Sequence, residues 1–239
     1  MPDATASVAT PRPDPEWSHR LSLLLSVVAG MVDLTGFLTL GNVFTAHVTG
    51  NLVLLAADLA HDAIPRTAQL LAMPAFMLAC GLASIVARRS RAQDGSPITT
   101  LLRVQLGLIA GLFLFSMLTR PSEHPNGLAV SIATVLAVTA MGTQFILVRS
   151  ALPGIPSTTT MTVNISDTVL LLVAASGPKP SPVDVRARLE QSSRTVAAFF
   201  GGCLVAGLAV KWLADLAWCL PLVAAAVTLM IHERHEPRA

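Results

Sequence analysis

Long uninterrupted apolar runs are the feature that most restricts what this chain can fold into. Six of them, each 18 to 24 residues long, lie at residues 20–40, 66–88, 99–119, 127–149, 190–213 and 215–232. A helix rises about 1.5 Å per residue, so about 20 residues cross the ~30 Å hydrocarbon core of a bilayer. Lipid offers no partners to backbone amides and carbonyls, which helices satisfy internally. The sequence therefore predicts an all-α, polytopic transmembrane helix bundle.

The composition agrees with a chain whose main partner is the lipid bilayer. Charged residues make up 13% and hydrophobic residues 53% of the 239 residues, whereas soluble domains carry about 25% charged residues. The net charge of +2 gives no reason to expect a nucleic-acid partner. Cys80, Cys203 and Cys219 lie in apolar runs without the spacing of a disulfide framework or a metal site, so we interpret them as packing residues.

Two shorter stretches, residues 43–60 and 159–175, leave the number of spans open. Both begin with polar, small or β-branched residues and end in a compact apolar run. With six spans and the N-terminus inside, Arg66, Arg120 and Lys211 are the only basic residues outside, which suits the enrichment of Lys and Arg in cytoplasmic loops. Eight spans are the alternative and give a weaker asymmetry. We favour six spans, re-entrant short stretches and cytoplasmic termini.

The two short stretches resemble each other and divide the chain into two halves. Each follows a long span with an interior polar residue, Asp33 or Gln144, and precedes two more long spans. Six spans make the repeats inverted, which is a recurring plan of transporters, whereas eight would make them parallel. The predicted regions are a disordered lead-in at 1–19, repeats at 20–126 and 127–232, and a tail at 233–239. Aligned without gaps, the stretches share Thr45, Thr49 and Asn51 with Thr158, Thr162 and Asn164.

Asp33 is the strongest candidate for a functional residue, because it lies in the interior of the first apolar span. A carboxylate there is costly, so by default it indicates a proton or cation site or a polar substrate contact. The alternative is an Asp that only joins hydrogen bonds in the core. His47 can titrate near neutral pH, although a lone His is more often a hydrogen-bonded structural residue. Its surroundings lack metal-ligand spacing, so we expect no metal.

The short stretches have the length and polar starts of half-helices. Residues 52–60 give about 13.5 Å of helix, half a bilayer, and Thr49 or Asn51 suits the N-cap. A half-helix that begins near the midplane would direct unpaired N–H groups and its positive dipole end at a cavity. Thr162 and Asn164 would do so from the other side. Alternatively, these polar groups only join helices by hydrogen bonds.

Two further residues complete the set of candidate substrate- or ion-binding positions. Asp167 follows Asn164 by three residues and either faces a cavity or complements the dipole of its helix. Gln144 is the interior polar residue of the fourth apolar run. Catalytic and cofactor motifs such as HExxH, GxSxG, Walker A and GxGxxG are absent from the sequence, so we expect neither an enzyme nor a bound cofactor.

Four motifs of the chain carry a family resemblance, namely Ala29-Gly30-Met31-Val32-Asp33, Thr49-Gly50-Asn51-Leu52-Val53-Leu54-Leu55, Met141-Gly142-Thr143-Gln144 and Thr159-Thr160-Met161-Thr162-Val163-Asn164. They resemble those of the YoaK-type family of small bacterial membrane proteins. The similarity covers residues 20–232 and departs from the family pattern at Val163, where a small Gly is expected. It implies a multi-pass protein of the bacterial inner membrane with two repeats, but no substrate, because the function of the family is undefined.

Two functions fit these observations. The first is a small-solute or ion transporter or channel with a polar site at the midplane between the repeats, working by alternating access or gated conduction. The second is a non-transporting membrane module that stabilises or regulates a partner complex. Gly107 and Gly111 form a GxxxG pattern that suits close helix contact, either within the bundle or between protomers of a homo-oligomer.

Overall fold

The regular structure of the computed structural model is helical throughout its described residues, which are 15–61, 64, 66–152, 155–176 and 183–235. Two short 3-10 helices, Pro121–Glu123 and Ala214–Trp218, join longer elements. The all-α prediction is confirmed. The eight helices described are α1 (Pro15–Thr39), α2 (Gly50–Ala60), α3 (Thr67–Ala92), α4 (Pro97–Thr119), α5 (Leu128–Ala151), α6 (Met161–Ala175), α7 (Val183–Leu213) and α8 (Cys219–His235).

Five helical stretches are long and apolar enough to cross a membrane, which agrees with a multi-pass membrane protein. The fifth stretch contains both α7 and α8. Between them, Ala214 adopts a left-handed backbone conformation with a φ of 47°, which interrupts a regular right-handed helix. The helices α2 and α6 are shorter apolar elements. The five stretches are Glu16–Thr39, Thr67–Ala92, Pro97–Thr119, Leu128–Ala151 and Val185–His235.

Two helix boundaries differ from the apolar pattern. α1 begins at Pro15, a residue type that suits the first turn of a helix, so the predicted lead-in at 1–19 is too long; residues 1–14 lie outside the described residues. α7 begins at Val183, before the predicted start at 190, because its first turns are charged but contain good helix formers such as Arg. α8 continues to His235, and only residues 236–239 of the predicted tail lie outside the described residues.

The helices pair across the two halves of the sequence. α1 has its most extensive contacts with α7, and α3 has its most extensive contacts with α5. α4 and α8 touch each other; α4 also packs on α5, and α8 on α1. The short helix α2 lies on α3, and α6 lies on α7. In each of the two principal pairs, the first helix of one half therefore contacts the second long helix of the other half.

Glycines set the closest approach between α1 and α7. A Cβ atom added at Gly30 would lie 2.1 Å from the carbonyl oxygen of Phe199. At Gly202 it would lie 2.4 Å from the carbonyl oxygen of Val27. Cys203 Sγ donates a hydrogen bond to the Gly30 carbonyl at 3.4 Å. The two backbones are in direct contact here, and no larger residue fits without moving a helix.

α3 and α5 also lie in close contact at a glycine. A Cβ atom at Gly142 would lie 2.9 Å from Ala79 Cβ and 3.4 Å from the Phe76 carbonyl oxygen. Cys80 Sγ donates to the Gly142 carbonyl at 3.8 Å. Each crossing thus combines a glycine, a Phe and a Cys four residues after that Phe. By contrast, a Cβ at Gly107 of α4 would meet no atom within 4 Å, so the GxxxG face is open in the single chain.

Candidate functional site

The carboxylate of Asp33 binds the chain segment that follows α1. Its Oδ1 accepts hydrogen bonds from the backbone N–H groups of Thr45 and Ala46, each at 2.7 Å, and from the Thr45 hydroxyl at 3.3 Å. Asp33 is 5% exposed. A buried charge needs several donors of this kind. The carboxylate therefore lies against a set of backbone amides that would otherwise be unpaired.

His47 completes this arrangement, which we call the first polar site (Asp33, Thr45, Ala46, His47). Its Nδ1 lies 2.6 Å from Asp33 Oδ2, a distance at which the ring N–H donates to a carboxylate. The His47 ring also meets Phe199 of α7 edge-on, with centroids 5.2 Å apart. The His47 side chain is 31% exposed, whereas that of Asp33 is 7% exposed. The contact with this partly exposed imidazole thus connects the buried carboxylate with the protein surface.

The first polar site requires the chain to turn back toward the middle of α1. Asp33 lies six residues before the end of α1, which is about 9 Å of helix. Asn51 fixes the returning segment by a double contact with Phe44. Its Oδ1 accepts from Phe44 N–H, and its Nδ2 donates to the Phe44 carbonyl, both at 2.8 Å. α2 therefore begins beside the interior of α1 and not at the level of its C-terminal end.

A second polar site, formed by Gln105, Gln144 and Thr158, is centred on Gln144 of α5 and joins both halves of the chain. Gln144 Nε2 donates to Thr158 Oγ1 and to the Leu25 carbonyl, each at 2.9 Å. Gln144 Oε1 accepts from Gln105 Nε2 at 2.6 Å. Gln144 is 0% exposed and Gln105 is 1% exposed. Each donor and acceptor of the Gln144 side chain has a partner, and none of the three residues carries a charge.

Asn164 repeats part of the role of Asn51. Its Nδ2 donates to the Ser157 carbonyl at 2.6 Å, and Ser157 precedes Asn164 by the same seven residues that separate Phe44 from Asn51. Thr158 follows Ser157 as Thr45 follows Phe44, and each Thr bonds to the interior polar residue of the preceding helix. Gln144 lies seven residues before the end of α5, about 10.5 Å. The second returning segment also turns back toward the bundle interior.

The two polar sites lie at different levels of α1. Gln144 bonds to the carbonyl of Leu25, whereas the first site uses Asp33, eight residues later. Eight residues correspond to about 12 Å along a helix. The structure thus brings Asp33, His47 and Asn51 together, and it places Gln144 and Asn164 in a separate part of the bundle.

One of the two interpretations of Thr49 expects unpaired N–H groups at the start of α2, and the structure differs from it in that respect. Thr49 occupies the N-cap of α2, but its side chain makes no cap hydrogen bond and is exposed. The N–H groups of Gly50, Asn51 and Leu52 bond to the carbonyls of the preceding turn at 2.8 to 3.1 Å. These amides are therefore not free to bind a solute. The unpaired amides expected there lie earlier in the segment, and Asp33 binds them.

Thr162 and Asp167 occupy different positions on α6. Thr160, not Thr162, is the N-cap of this helix, and Thr162 is exposed. Asp167 lines a pocket of about 380 Å³ between α6 and α7, together with Asn164 and Arg188. No pattern in the sequence connects Asp167 with α7. Among the predicted residues, Asp167 and Asn164 are thus associated with a pocket, whereas Asp33 and His47 form a pair.

Two contributors to these sites were missed by the sequence reasoning. Gln105 is a polar residue inside an apolar run, the same signal that identified Asp33 and Gln144, and it lies against Gln144. Cys203 was interpreted as packing alone, yet it bonds to α1 three residues before Asp33. The matched spacing of Phe76 with Cys80 and of Phe199 with Cys203 was present in the sequence as a signal for the two crossings.

Comparison with known proteins places the chain in a family. A curated relative, the UPF0700 transmembrane protein YoaK of Bacillus subtilis (strain 168), is 54% identical over 39 residues, which are 16% of this chain and 17% of that protein. No solved structure gives a significant match. A family model described as a protein of unknown function, DUF1275, matches residues 21–231. The predicted YoaK-type resemblance is confirmed, and the chain belongs to the DUF1275 family of membrane proteins.

Proposed function

We propose that this protein is a transporter or channel for a small solute or ion, built from two inverted repeats around six membrane spans. The observation that carries the proposal is the Asp33–His47 contact of 2.6 Å, which connects a buried carboxylate with a partly exposed imidazole. Ionisable groups inside membrane bundles are costly, and most mark ion paths or proton relays. Such a pair can pass a proton or hold a cation.

The short helices support the re-entrant part of the proposal. Both returning segments bond to a polar residue about 10 Å inside the preceding long helix. α2 has 11 residues and α6 has 15, about 16 and 22 Å of helix, both less than the ~30 Å core. Each helix is therefore too short to cross the bilayer from one surface to the other unless the bilayer becomes thinner around it.

The helix crossings support the repeat. In the proposed scheme, α1, α2, α3 and α4 correspond to α5, α6, α7 and α8. The α1–α7 contact then corresponds to the α5–α3 contact, as expected for two halves related by a pseudo-twofold axis. The Cys203–Gly30 and Cys80–Gly142 hydrogen bonds occupy matching places in these crossings. α7 and α8 each count as one span, which gives six.

A labelling experiment tests the topology. Cysteines are introduced singly at His61, after α2, and at Ser176, after α6, in a chain whose native cysteines are replaced by Ala. With six spans and inverted repeats, a membrane-impermeant maleimide labels the two positions from opposite faces of the membrane. With eight spans, both positions lie on the same face, and that result would overturn the inverted arrangement.

A flux experiment tests the site. The full-length protein is reconstituted in liposomes that contain a pH-sensitive dye, and proton entry is followed under an imposed membrane potential. We expect entry above that of empty liposomes and a loss of about tenfold or more in Asp33→Asn and in His47→Gln. Asp58→Asn, a charge change on α2 outside the pair, is the matched control and keeps the wild-type rate. Equal rates in all variants would rule out the Asp33 site.

A second function, a membrane module that stabilises or regulates a partner complex, is favoured by one observation. Both oxygens of Asp33 already have partners within the chain, so the carboxylate can serve the fold alone. This function predicts a stable co-purifying partner and no flux above empty liposomes. The exposed face of Gly107 and Gly111 would then be available for another protein, whereas in the transporter it suits a second copy of this chain.

We place the protein in the bacterial cytoplasmic membrane, with both termini on the cytoplasmic side. The distribution of Lys and Arg over the loops supports this orientation. Fusion of a reporter that is active only in the cytoplasm to the C-terminus tests it. Activity of the reporter is the expected result, and an inactive but membrane-inserted fusion would reverse the orientation.

A further inference from the structure

The pocket between α6 and α7 lies near the charged beginning of α7, away from the Asp33–His47 pair. α7 has 31 residues, about 46 Å of helix, and so exceeds the ~30 Å hydrocarbon core. Its first turns contain most of its charged residues, and its later turns are apolar except for Lys211 in the last turn. The pocket is therefore placed at the boundary between lipid and water. The charged residues of these turns include Arg186, Arg188, Glu190 and Arg194.

A rigid polar frame forms one wall of this pocket. Asn164 Nδ2 donates to the Ser157 carbonyl at 2.6 Å, and Ser192 Oγ donates to the Asn164 carbonyl at 2.8 Å. Thr168 Oγ1 donates to Ser192 Oγ at 3.0 Å. Asn164 is 2% exposed and Ser192 is 3% exposed. These groups bond to one another, so they define the shape of the pocket and keep α6 and α7 in register.

Two groups of opposite charge remain in the lining without such bonds. Asp167 and Arg188 both line the pocket, yet within the described part of the chain no ion pair or hydrogen bond of their side chains is found, either with each other or with other residues. Glu190, the nearby acid on α7, is already paired with Arg194 at 2.6 Å. Gln191 Nε2, a buried amide of the same wall, also lacks a partner among these residues.

Among the described residues, this pocket therefore offers an anion, a cation and an amide without partners, which matches a ligand that carries both charges. An Arg guanidinium binds carboxylates and phosphates with a pair of parallel hydrogen bonds. A carboxylate binds an ammonium group by charge-assisted hydrogen bonds. Val163 and Leu171 add apolar surface to the lining. The volume of about 380 Å³ is within the usual size of small-molecule sites.

We propose that the α6–α7 pocket binds a zwitterion, with Arg188 holding its carboxylate or phosphate and Asp167 holding its ammonium group. Two sources share this chemistry, namely a free amino acid with an apolar side chain and the headgroup of a phosphatidylethanolamine lipid. The proposal concerns binding alone and needs no transport. Its outcome is therefore separate from that of the flux experiment.

Binding to the purified full-length protein in detergent tests the free amino acid. The probe is radiolabelled L-leucine in equilibrium dialysis, with unlabelled leucinamide, which lacks the carboxylate, and 4-methylpentanoate, which lacks the ammonium group, as competitors. We expect saturable leucine binding that is weakened about tenfold or more by Arg188→Gln and by Asp167→Asn. Each analogue should compete about tenfold less well than leucine. Arg186→Gln, an exposed arginine of the same helix outside the pocket, is the matched control and keeps wild-type binding.

A lipid measurement tests the other source. The same variants are placed in nanodiscs of phosphatidylethanolamine or phosphatidylglycerol, and retained lipids are counted by native mass spectrometry. A lipid occupant predicts retention of phosphatidylethanolamine over phosphatidylglycerol, lost in Arg188→Gln and Asp167→Asn but kept in Arg186→Gln. The proposal is overturned if neither leucine nor phosphatidylethanolamine binds saturably. It is also overturned if binding is the same in the two pocket variants as in the control, with unchanged thermal stability of all three.

Discussion

The two polar sites use the same local construction with different chemistry. In both, a chain segment turns back into the bundle, its Thr bonds to a polar residue of the preceding long helix, and an Asn seven residues after the segment begins fixes it to the short helix. The first site contains a carboxylate and an imidazole. The second contains two amides and a hydroxyl, which do not titrate in the physiological range.

This difference distinguishes what the fold requires of a polar site from the chemistry that the site can perform. The second site shows that neutral hydrogen bonds are sufficient to hold a returning segment, since Gln144 does so with all its partners satisfied. The charge of Asp33 is therefore not required by the fold as such. Its burial is costly, and in the proposed transporter its contact with the titratable His47 at 2.6 Å serves proton or ion chemistry.

The largest expected difference between the halves is at the helix crossings. Gly30→Ala places a methyl group 2.1 Å from a backbone oxygen, whereas Gly142→Ala places one 2.9 Å from a side-chain methyl. We expect Gly30→Ala to lower the free energy of unfolding by about 3 kcal/mol or more, and Gly142→Ala to lower it by about 1 kcal/mol. Thermal unfolding in detergent measures both. Gly107→Ala, where the added methyl meets no atom within 4 Å, is the control, and equal losses in all three would contradict the crossing geometry.

Substitution of Asp33 separates its hydrogen bonds from its charge. Asp33→Ala leaves the buried amides of Thr45 and Ala46 without an acceptor, which costs about 2–3 kcal/mol. Asp33→Asn keeps an acceptor oxygen, so we expect a loss of about 1 kcal/mol. Denaturation of the purified variants measures the difference. If the Asn variant is as unstable as the Ala variant, the negative charge itself holds the segment and the comparison with Gln144 fails.

Removal of the second polar site is expected to cost somewhat less. Gln144→Leu leaves Gln105 Nε2 without its partner and removes the bond to Thr158, for a loss of about 2 kcal/mol in unfolding free energy. Gln69→Leu is the matched control, because the buried side-chain oxygen of Gln69 has no partner among the described residues. We expect the control to unfold at or above the wild-type temperature. Equal destabilisation by both substitutions would indicate lost volume, not lost hydrogen bonds.

The two asparagines give the smallest expected difference. Asn51 makes two hydrogen bonds to Phe44, whereas Asn164 makes one to the Ser157 carbonyl. We therefore expect Asn51→Ala to cost about 1.5 kcal/mol and Asn164→Ala about 1 kcal/mol. Hydrogen exchange of the Phe44 amide should accelerate in the first variant only. A larger loss for Asn164→Ala would show that the pocket wall matters more than the first returning segment.

The sequence predicted the positions of the helices well because length and apolar character are local properties. All six long apolar runs correspond to helices, and the two short stretches correspond to α2 and α6. The start of α7 was misplaced because charged residues left the apolar pattern while the backbone stayed helical.

The sequence predicted Asp33, the central residue of the first polar site, but not the atoms that it contacts. Burial of Asp33 follows from its place in an apolar run, and His47 was a candidate for its chemistry. Which backbone amides Asp33 binds depends on how far the chain turns back after α1, and no local pattern specifies that distance. The amides at the start of α2 were expected to be free, but the preceding turn forms its own hydrogen bonds first. Asp167 and Arg188 line the same pocket only because α6 packs on α7.

The backbone contact between Gly30 and Phe199 has a consequence for movement. Helices that touch through their main chains have no flexible side chains between them to absorb sliding. We therefore expect α1 and α7 to move as one rigid body. The same holds for α3 and α5, whose contact at Gly142 is less close and allows slightly more relative movement. Any opening of the bundle is then a rotation of one such pair against the other, and the segment carrying His47, which touches α7, travels with the first pair.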